Sequence, residues 1–185
     1  AKFLSGREVM SNGQRAFIDL YDFNIIPVEL ISNIYEIVLG ETVQKNDKAF
    51  YTPAYLADYI IEENCQGDLK NAKLLDPSCG SGIFLVLYYR KIVETRQESE
   101  YSDEYLISTM KNNIYGIDKN ADAVCVAIFS LYLTILDYKN PKELAGFKFP
   151  DLLGENIICA DCFDDEKVRY IKKQQYAYII GNPPW

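Results

Sequence analysis

The chain has 185 residues, 49% of them hydrophobic, enough for one packed domain or a domain with an appendage rather than a disordered segment. Its formal net charge of −8 argues against these residues gripping a phosphate backbone unaided. There is no histidine, which excludes Ser-His-Asp and Cys-His nucleophile chemistry within the chain.

The five cysteines are an odd count in apolar or turn surroundings, as expected for a reducing compartment. Cys159 and Cys162 have the spacing of half a metal knuckle, but no second pair accompanies them and no metal is expected. No apolar run approaches the span of a bilayer, and no charged-then-apolar leader opens the residues. A soluble, cytoplasmic protein with no membrane partner is the expectation.

In chain order, residues 1–24 are mixed, with a turn at Ser11-Asn12-Gly13. The pattern of residues 27–39 predicts a helix: Pro27 suits its first position, Leu30, Ile31, Ile34, Ile37 and Val38 recur at helical spacing, and Gly40 suits its stop. Residues 41–48 are a polar linker. Thr52 then reads as an N-cap and Pro53 as the first residue of a second helix, with Leu56, Tyr59 and Ile60 marking its apolar face.

Residues 73–76 predict a buried strand ending in Asp76. A small-residue turn follows at Pro77-Ser78-Cys79-Gly80-Ser81-Gly82, and a helix from Gly82 to about Arg96 is apolar almost all round. Backbone N–H groups at such a turn can face a nucleotide-like ligand, and Gly80 and Gly82 let the backbone pass close to it. Residues 97–113 carry a weaker helical pattern around Tyr105, Leu106 and Met110. Residues 114–118 form a second strand, again ending in an acid, Asp118. Asn120 then caps a strongly periodic helix through Val124, Ile128, Leu131 and Ile135. A loop over residues 138–151 leads to a third strand at 156–161, ending in Asp161. A charged surface helix over 164–175 and a fourth strand at 176–181 complete the series.

Strands alternating with helices at this spacing predict an α/β fold with a doubly wound, mainly parallel sheet. Ligands of such sheets bind at the carboxyl ends of the strands. Asp76, Asp118, Asp161 and Asn182 fall there, on one rim. Asp118 sits where a dinucleotide fold places a carboxylate on ribose hydroxyls, although an ordinary strand-end acid or a helix cap would explain it alone. Asp161 can accept from an exocyclic amine of a bound base, with Phe163 against the ring. The loop lacks the G-x-G-x-x-G spacing of nicotinamide enzymes.

Asn182-Pro183-Pro184-Trp185 is the most informative tetrapeptide. Two prolines after a core strand stop further pairing and hold the backbone extended. They freeze Asn182 and the following carbonyls as acceptors beside an indole. That array suits a planar substrate with an NH₂ group: its donors go to the Asn182 oxygen and a backbone carbonyl, while Trp185 covers the ring.

With these residues in place, the chain resembles the S-adenosylmethionine-dependent N6-adenine DNA methyltransferases, in the gamma arrangement where cofactor motifs precede the catalytic one. Leu75-Asp76-Pro77-Ser78-Cys79-Gly80-Ser81-Gly82 resembles the cofactor loop, and Tyr115-Gly116-Ile117-Asp118 the ribose-binding strand. Asp161-Cys162-Phe163 resembles the adenine-binding element, and Gly181-Asn182-Pro183-Pro184-Trp185 the catalytic motif. Phe50-Tyr51-Thr52-Pro53 is similar to the motif that covers the methionine end of the cofactor, which adds a cofactor contact to Thr52's role as a cap. Residues 26–36 resemble the lead-in of type IIG-like restriction–modification methylases.

The resemblance implies a Rossmann-like methyltransferase fold, here incomplete, with a helical lead-in over residues 1–49 and the first part of a catalytic domain over 50–185. It implies S-adenosylmethionine as cofactor, held by Tyr51, Thr52, Pro53, Asp76, Pro77, Ser78, Cys79, Gly80, Gly82, Asp118, Asp161, Cys162 and Phe163. It implies methyl transfer to the N6 amine of adenine in DNA by Asn182, Pro183, Pro184 and Trp185, within a restriction–modification or phage-defence system. DNA recognition and any restriction or specificity partner would belong to other parts of the parent enzyme, so the chain alone is expected to be inactive. Two alternatives stand beside this reading. One is an amino-group methyltransferase acting on protein glutamine or RNA guanine; the other is a non-catalytic nucleotide-binding scaffold.

Overall fold

The computed structural model describes residues 52–139, 144 and 146–183. The lead-in helix expected at residues 27–39 and the turn at 11–13 lie outside them, as do Tyr51, Pro184 and Trp185.

Four parallel strands make one sheet in the order β3-β2-β1-β4: β1 (Leu74–Asp76), β2 (Ile114–Asp118), β3 (Ile157–Cys159) and β4 (Tyr178–Ile179). Parallel neighbours need crossovers, and helices supply them. Helix α1 (Ala54–Asn64) precedes β1. Helices α2 (Ile83–Val93) and α3 (Asp103–Asn113), with a 3-10 turn at Glu98–Glu100 between them, join β1 to β2. Helix α4 (Ala121–Asp137) joins β2 to β3, and the short α5 (Arg169–Lys172) joins β3 to β4. The predicted α/β class and parallel sheet are what the chain adopts.

Alternation along the strands sends side chains to two cores. Leu74, Ile114 and Ile157 face the larger one, with α1, α2, α3 and α4. Leu75, Tyr115, Ile117 and Ile158 face a smaller one with Val168 and Ile171. Helix α2 is buried nearly all round, as its composition predicts, from Ile83 to Val93. Its two buried tyrosines keep their hydroxyls satisfied: Tyr88 donates to the Ala72 carbonyl at 2.9 Å and Tyr89 to that of Leu106 at 3.1 Å. Two buried asparagines anchor the strand starts. Asn113 donates to the Ala72 carbonyl and Asn156 to the Lys111 and Ile114 carbonyls, each at 2.8 Å. Close packing at the top of β2 needs Gly116, where a Cβ would come within 2.9 Å of Leu85 and 3.1 Å of Cys79 Sγ.

The structure corrects several local expectations. Helix α1 buries Ala57 and Ile61, not the face predicted from Leu56 and Tyr59; Tyr59 is 62% exposed. Small and β-branched side chains let α1 dock closely on α2, where the larger residues would hold it off. Its N-cap is Pro53, whose carbonyl accepts from Leu56 N and Ala57 N, so Thr52 lies one residue too early to cap. Only residues 169–172 of the predicted surface helix over 164–175 are helical. The Asp161 and Asp164 carboxylates accept from the backbone N–H groups of Phe163 and Lys167, at 2.9 and 3.3 Å, and these local bonds compete with a helix. Strands β3 and β4 end at Cys159 and Ile179, so Asp161 and Asn182 stand two and three residues beyond their strands.

The chain steps from β1 through β2 to β3 in one direction, then returns to place β4 on the other side of β1. The reversal makes a crevice above the carboxyl ends of β1 and β4, where doubly wound folds bind ligands. Among the described residues β4 has no second neighbour, and no helix is long and apolar enough to cross a membrane.

Candidate active site

Asp76 ends β1 on the floor of this crevice, 1% exposed. Burial pushes its carboxyl up to about 7; the Ser78 N–H, donating to Oδ1 at 3.0 Å, opposes the shift and nearby Asp118 adds to it. Beside it, Ser78 Oγ is buried without a hydrogen-bond partner. Ionised Asp76 therefore lacks the solvation that an external cation or donor would supply.

The turn after Asp76 is held from within. Cys79 N donates to the Ile117 carbonyl at 2.9 Å, and Gly82 N to that of Cys79 at 2.8 Å. Gly80 N donates to Asp118 Oδ2 at 2.9 Å. Gly80 and Gly82 take φ of 52° and 89°, in the left-handed region that favours glycine. The N–H groups of Ser78, Cys79, Gly80 and Gly82 thus have partners within the chain, unlike the open amide cradle that the turn suggests in sequence. What the turn presents is the Asp76 carboxyl, the Ser78 hydroxyl and the start of α2, which no side chain caps. The Cys79 side chain points into the core, and burial there pushes its thiol well above the ordinary range.

Asp118 is the clasp of the rim. Besides Gly80 N it accepts from Asn120 N at 2.8 Å through Oδ1, and its own carbonyl accepts from Ala160 N at 2.9 Å. Asn120 in turn caps α4, accepting from Asp122 N and Ala123 N. Asp118→Ala strands two backbone donors and is expected to lower stability by about 2 kcal/mol, which urea denaturation reads directly.

Asp161 is exposed and closes a short turn on Phe163 N, while the Phe163 ring is 85% exposed and Cys162 half-buried. These residues stand at the rim beyond β3 with an aromatic face open.

Past β4, Gly181 lies against the first motif. A Cβ there would run into Asp76 Oδ1 and come within 3.2 Å of Asp76 Cγ and Pro77 Cδ. The constraint is space rather than backbone conformation. Gly181→Ala is expected to cost about 2 kcal/mol, the usual scale of overpacking, seen as a lower thermal midpoint. Asn182 follows, half-buried, and its Nδ2 donates to Thr52 Oγ1 at 3.1 Å. Pro183 is exposed.

The sequence profile of the N-6 DNA Methylase family matches residues 27–185. The chain belongs to that family. It is 26% identical to the type II restriction enzyme and methyltransferase RM.Eco57I of Escherichia coli, over 89% of this chain and 22% of that protein. It is 28% identical to the type II methyltransferase M.BstVI of Geobacillus stearothermophilus, over 74% of this chain and 24% of that protein. In fold it is similar to the protein of the DrdV–DNA complex, with a TM-score of 0.57 at 17% identity, covering 85% of this chain and 16% of that one. The chain thus spans about a quarter or less of each relative's length.

In this N-6 DNA methylase chain the structure gathers Asp76, Ser78, Gly80, Gly82 and Asp118 into one rim, with Asn182 and Thr52 at its β4 side. Asp161, Cys162 and Phe163 form a separate turn at the β3 side. Two participants are invisible to local patterns. Gly181 reads as an ordinary strand end, and Ser81, 1% exposed, as turn filler. A glycine directly before the Asn-Pro-Pro run was the available signal for the first; nothing local marks the second.

Proposed function

We propose that this chain is the cofactor-binding and amine-positioning part of an enzyme that methylates the N6 amine of adenine in DNA. The observation that carries the proposal is the seating of Asn182 at the sheet's switch point, with Gly181 pressed on buried Asp76. Membership of the N-6 DNA Methylase family supports the substrate class. Relatives named as restriction–modification enzymes support a role in such a system, with DNA and a restriction or specificity partner met through other parts of a cytoplasmic parent enzyme.

S-adenosylmethionine fits the rim and supplies an electrophilic methyl group when bound. Asp76 holds the cationic amino end, where its desolvated carboxylate gains a counter-charge, and Ser78 Oγ gains a partner. Asp118 holds the ribose side while keeping the turn closed. Asp161 and Phe163 take the adenine end, the exposed ring covering the base. Tyr51, Thr52 and Pro53 cover the methionine end.

A target adenine turned out of the duplex stacks on Trp185. Asn182 Oδ1 and the Pro183 carbonyl accept its two N6 protons, which turns the nitrogen lone pair toward the methyl group. Catalysis is positioning and electrostatics, with no side chain required to take a proton before transfer.

The test is methylation by the full-length enzyme of duplex DNA, RNA and a release-factor-like protein. Product confined to N6-methyladenine in DNA is expected. Methylated glutamine or guanine overturns the substrate, and calorimetric preference for NAD over S-adenosylmethionine overturns the cofactor.

A further inference from the structure

We propose that Thr52 is a positioning residue that sets which way the Asn182 amide faces. The inference rests on the reading of Asn182 as acceptor for the target amine. An asparagine amide has two nearly isosteric ends and a soft terminal torsion, so packing alone distinguishes oxygen from nitrogen poorly. The distinction decides the chemistry, because a reversed amide offers donors to an NH₂ group that is itself a donor.

In the structure the nitrogen end is assigned by a partner: Nδ2 donates to Thr52 Oγ1 at 3.1 Å, across 130 residues of sequence. With nitrogen held there, the oxygen branch turns to the other side. Thr52 has no competing duty at the helix start. Pro53 is the N-cap, α1 begins at Ala54, and the first helical N–H groups go to the Pro53 carbonyl. Thr52 is only 9% exposed, so its hydroxyl is shielded from the water that would otherwise replace this bond. The backbone around Asn182 is held from the other side by Gly181 against Asp76 and Pro77. Side-chain orientation is the freedom left to control, and Thr52 controls it.

The test uses the full-length enzyme with Thr52→Val, which keeps the shape and removes the hydroxyl, and Thr52→Ser, which restores it. Losing one net hydrogen bond corresponds to a three- to tenfold effect, about 0.5–1.5 kcal/mol. The single-turnover methylation rate of Thr52→Val is expected to fall by about that factor. Its S-adenosylmethionine affinity and thermal midpoint stay unchanged, and Thr52→Ser recovers the rate. An unchanged rate in Thr52→Val overturns the proposal. So does a loss that follows weaker cofactor binding, which assigns the hydroxyl to the cofactor instead, and so does a failure of Thr52→Ser to recover.

A substrate-free readout separates this inference from the functional reading. The Asn182 side-chain amide, identified by its disappearance in Asn182→Ala, is followed by NMR in the same protein. One Nδ2 proton is expected to exchange about three- to tenfold faster in Thr52→Val than in the wild type and Thr52→Ser. Equal exchange in all three overturns the contact. Slow exchange in an enzyme that methylates no adenine leaves the contact standing and overturns the function.

Discussion

Asn182→Ala in the full-length enzyme is expected to lower the methyl-transfer rate by about 10²–10³-fold or more, the scale for deleting one preorganised polar group at a reacting centre. S-adenosylmethionine binding is expected to survive. The two effects separate because of where the residue stands. Asn182 follows β4 at the edge of the crevice, and its printed contact is with Thr52 rather than with the Asp76–Ser78 floor. Truncation to alanine removes the amide acceptor but leaves Gly181, and with it the close approach of β4 to Asp76, unaltered. Rapid-quench methylation with isothermal titration of the cofactor measures both. A variant that retains wild-type N6-methyladenine formation removes Asn182 from the chemistry.

Asp76→Asn is expected to act in opposite directions on stability and on binding. Burial raises the carboxyl of the folded protein from an ordinary 3.8 to about 7, with Asp118 adding to the shift. Between roughly pH 4 and 7 the folded state keeps a proton that the unfolded chain releases, so this group makes stability fall as pH rises through that window. Above about 7 both states are ionised and the penalty is complete. Three pKa units correspond to a ceiling of about 4 kcal/mol. Asparagine carries no charge and its oxygen can still accept from Ser78 N. At pH 8 the variant is therefore expected to be more stable by on the order of 2 kcal/mol, within that ceiling, with the difference vanishing near pH 4. Urea denaturation across pH 4–8 checks it. A pH-independent difference means Asp76 does not titrate in this range.

The same substitution is expected to weaken S-adenosylmethionine binding by about 10²-fold, since the ammonium loses its only buried counter-charge on the floor, worth about 2–3 kcal/mol. In the wild type, affinity should rise as pH climbs toward 7, because the cation binds the ionised form, and level off above. Titration in buffers of different ionisation enthalpy reads the proton released. Binding without proton release at pH 6 removes Asp76 from the cation site. A buried acid that destabilises the empty fold and is neutralised by its ligand is a common economy of binding sites, where stability is given up for function.

Much of this was legible in the residues themselves. Strands ending in Asp76 and Asp118, the glycine turn between β1 and α2, and the Asn-Pro-Pro run after β4 all follow from local rules. Apolar runs mark buried strands, glycine marks left-handed turns, and proline stops pairing. Those rules involve neighbours within a few residues, so one sequence suffices to apply them. Their failures were also local in cause. Thr52-Pro53 satisfies the same capping preferences in either of two registers, and α1 carries apolar residues on more than one face. Only docking on α2 selected Ala57 and Ile61. Residues 164–175 have helical composition, but aspartate side chains bond their own backbone first.

By itself, then, the sequence determined the class of fold, the order of its motifs and the rim on which they stand, because hydrophobic period and turn chemistry are written in adjacent residues. The tertiary structure alone decided which motifs meet. Strand order seats β4 beside β1, so that Gly181 presses on Asp76 and Thr52 reaches Asn182 across 130 residues. It also closed the turn's amides on Asp118 and left Ser78 Oγ without a partner. Such contacts depend on which distant strands pair and how closely they pack, and neither leaves a mark in the spacing of neighbouring residues.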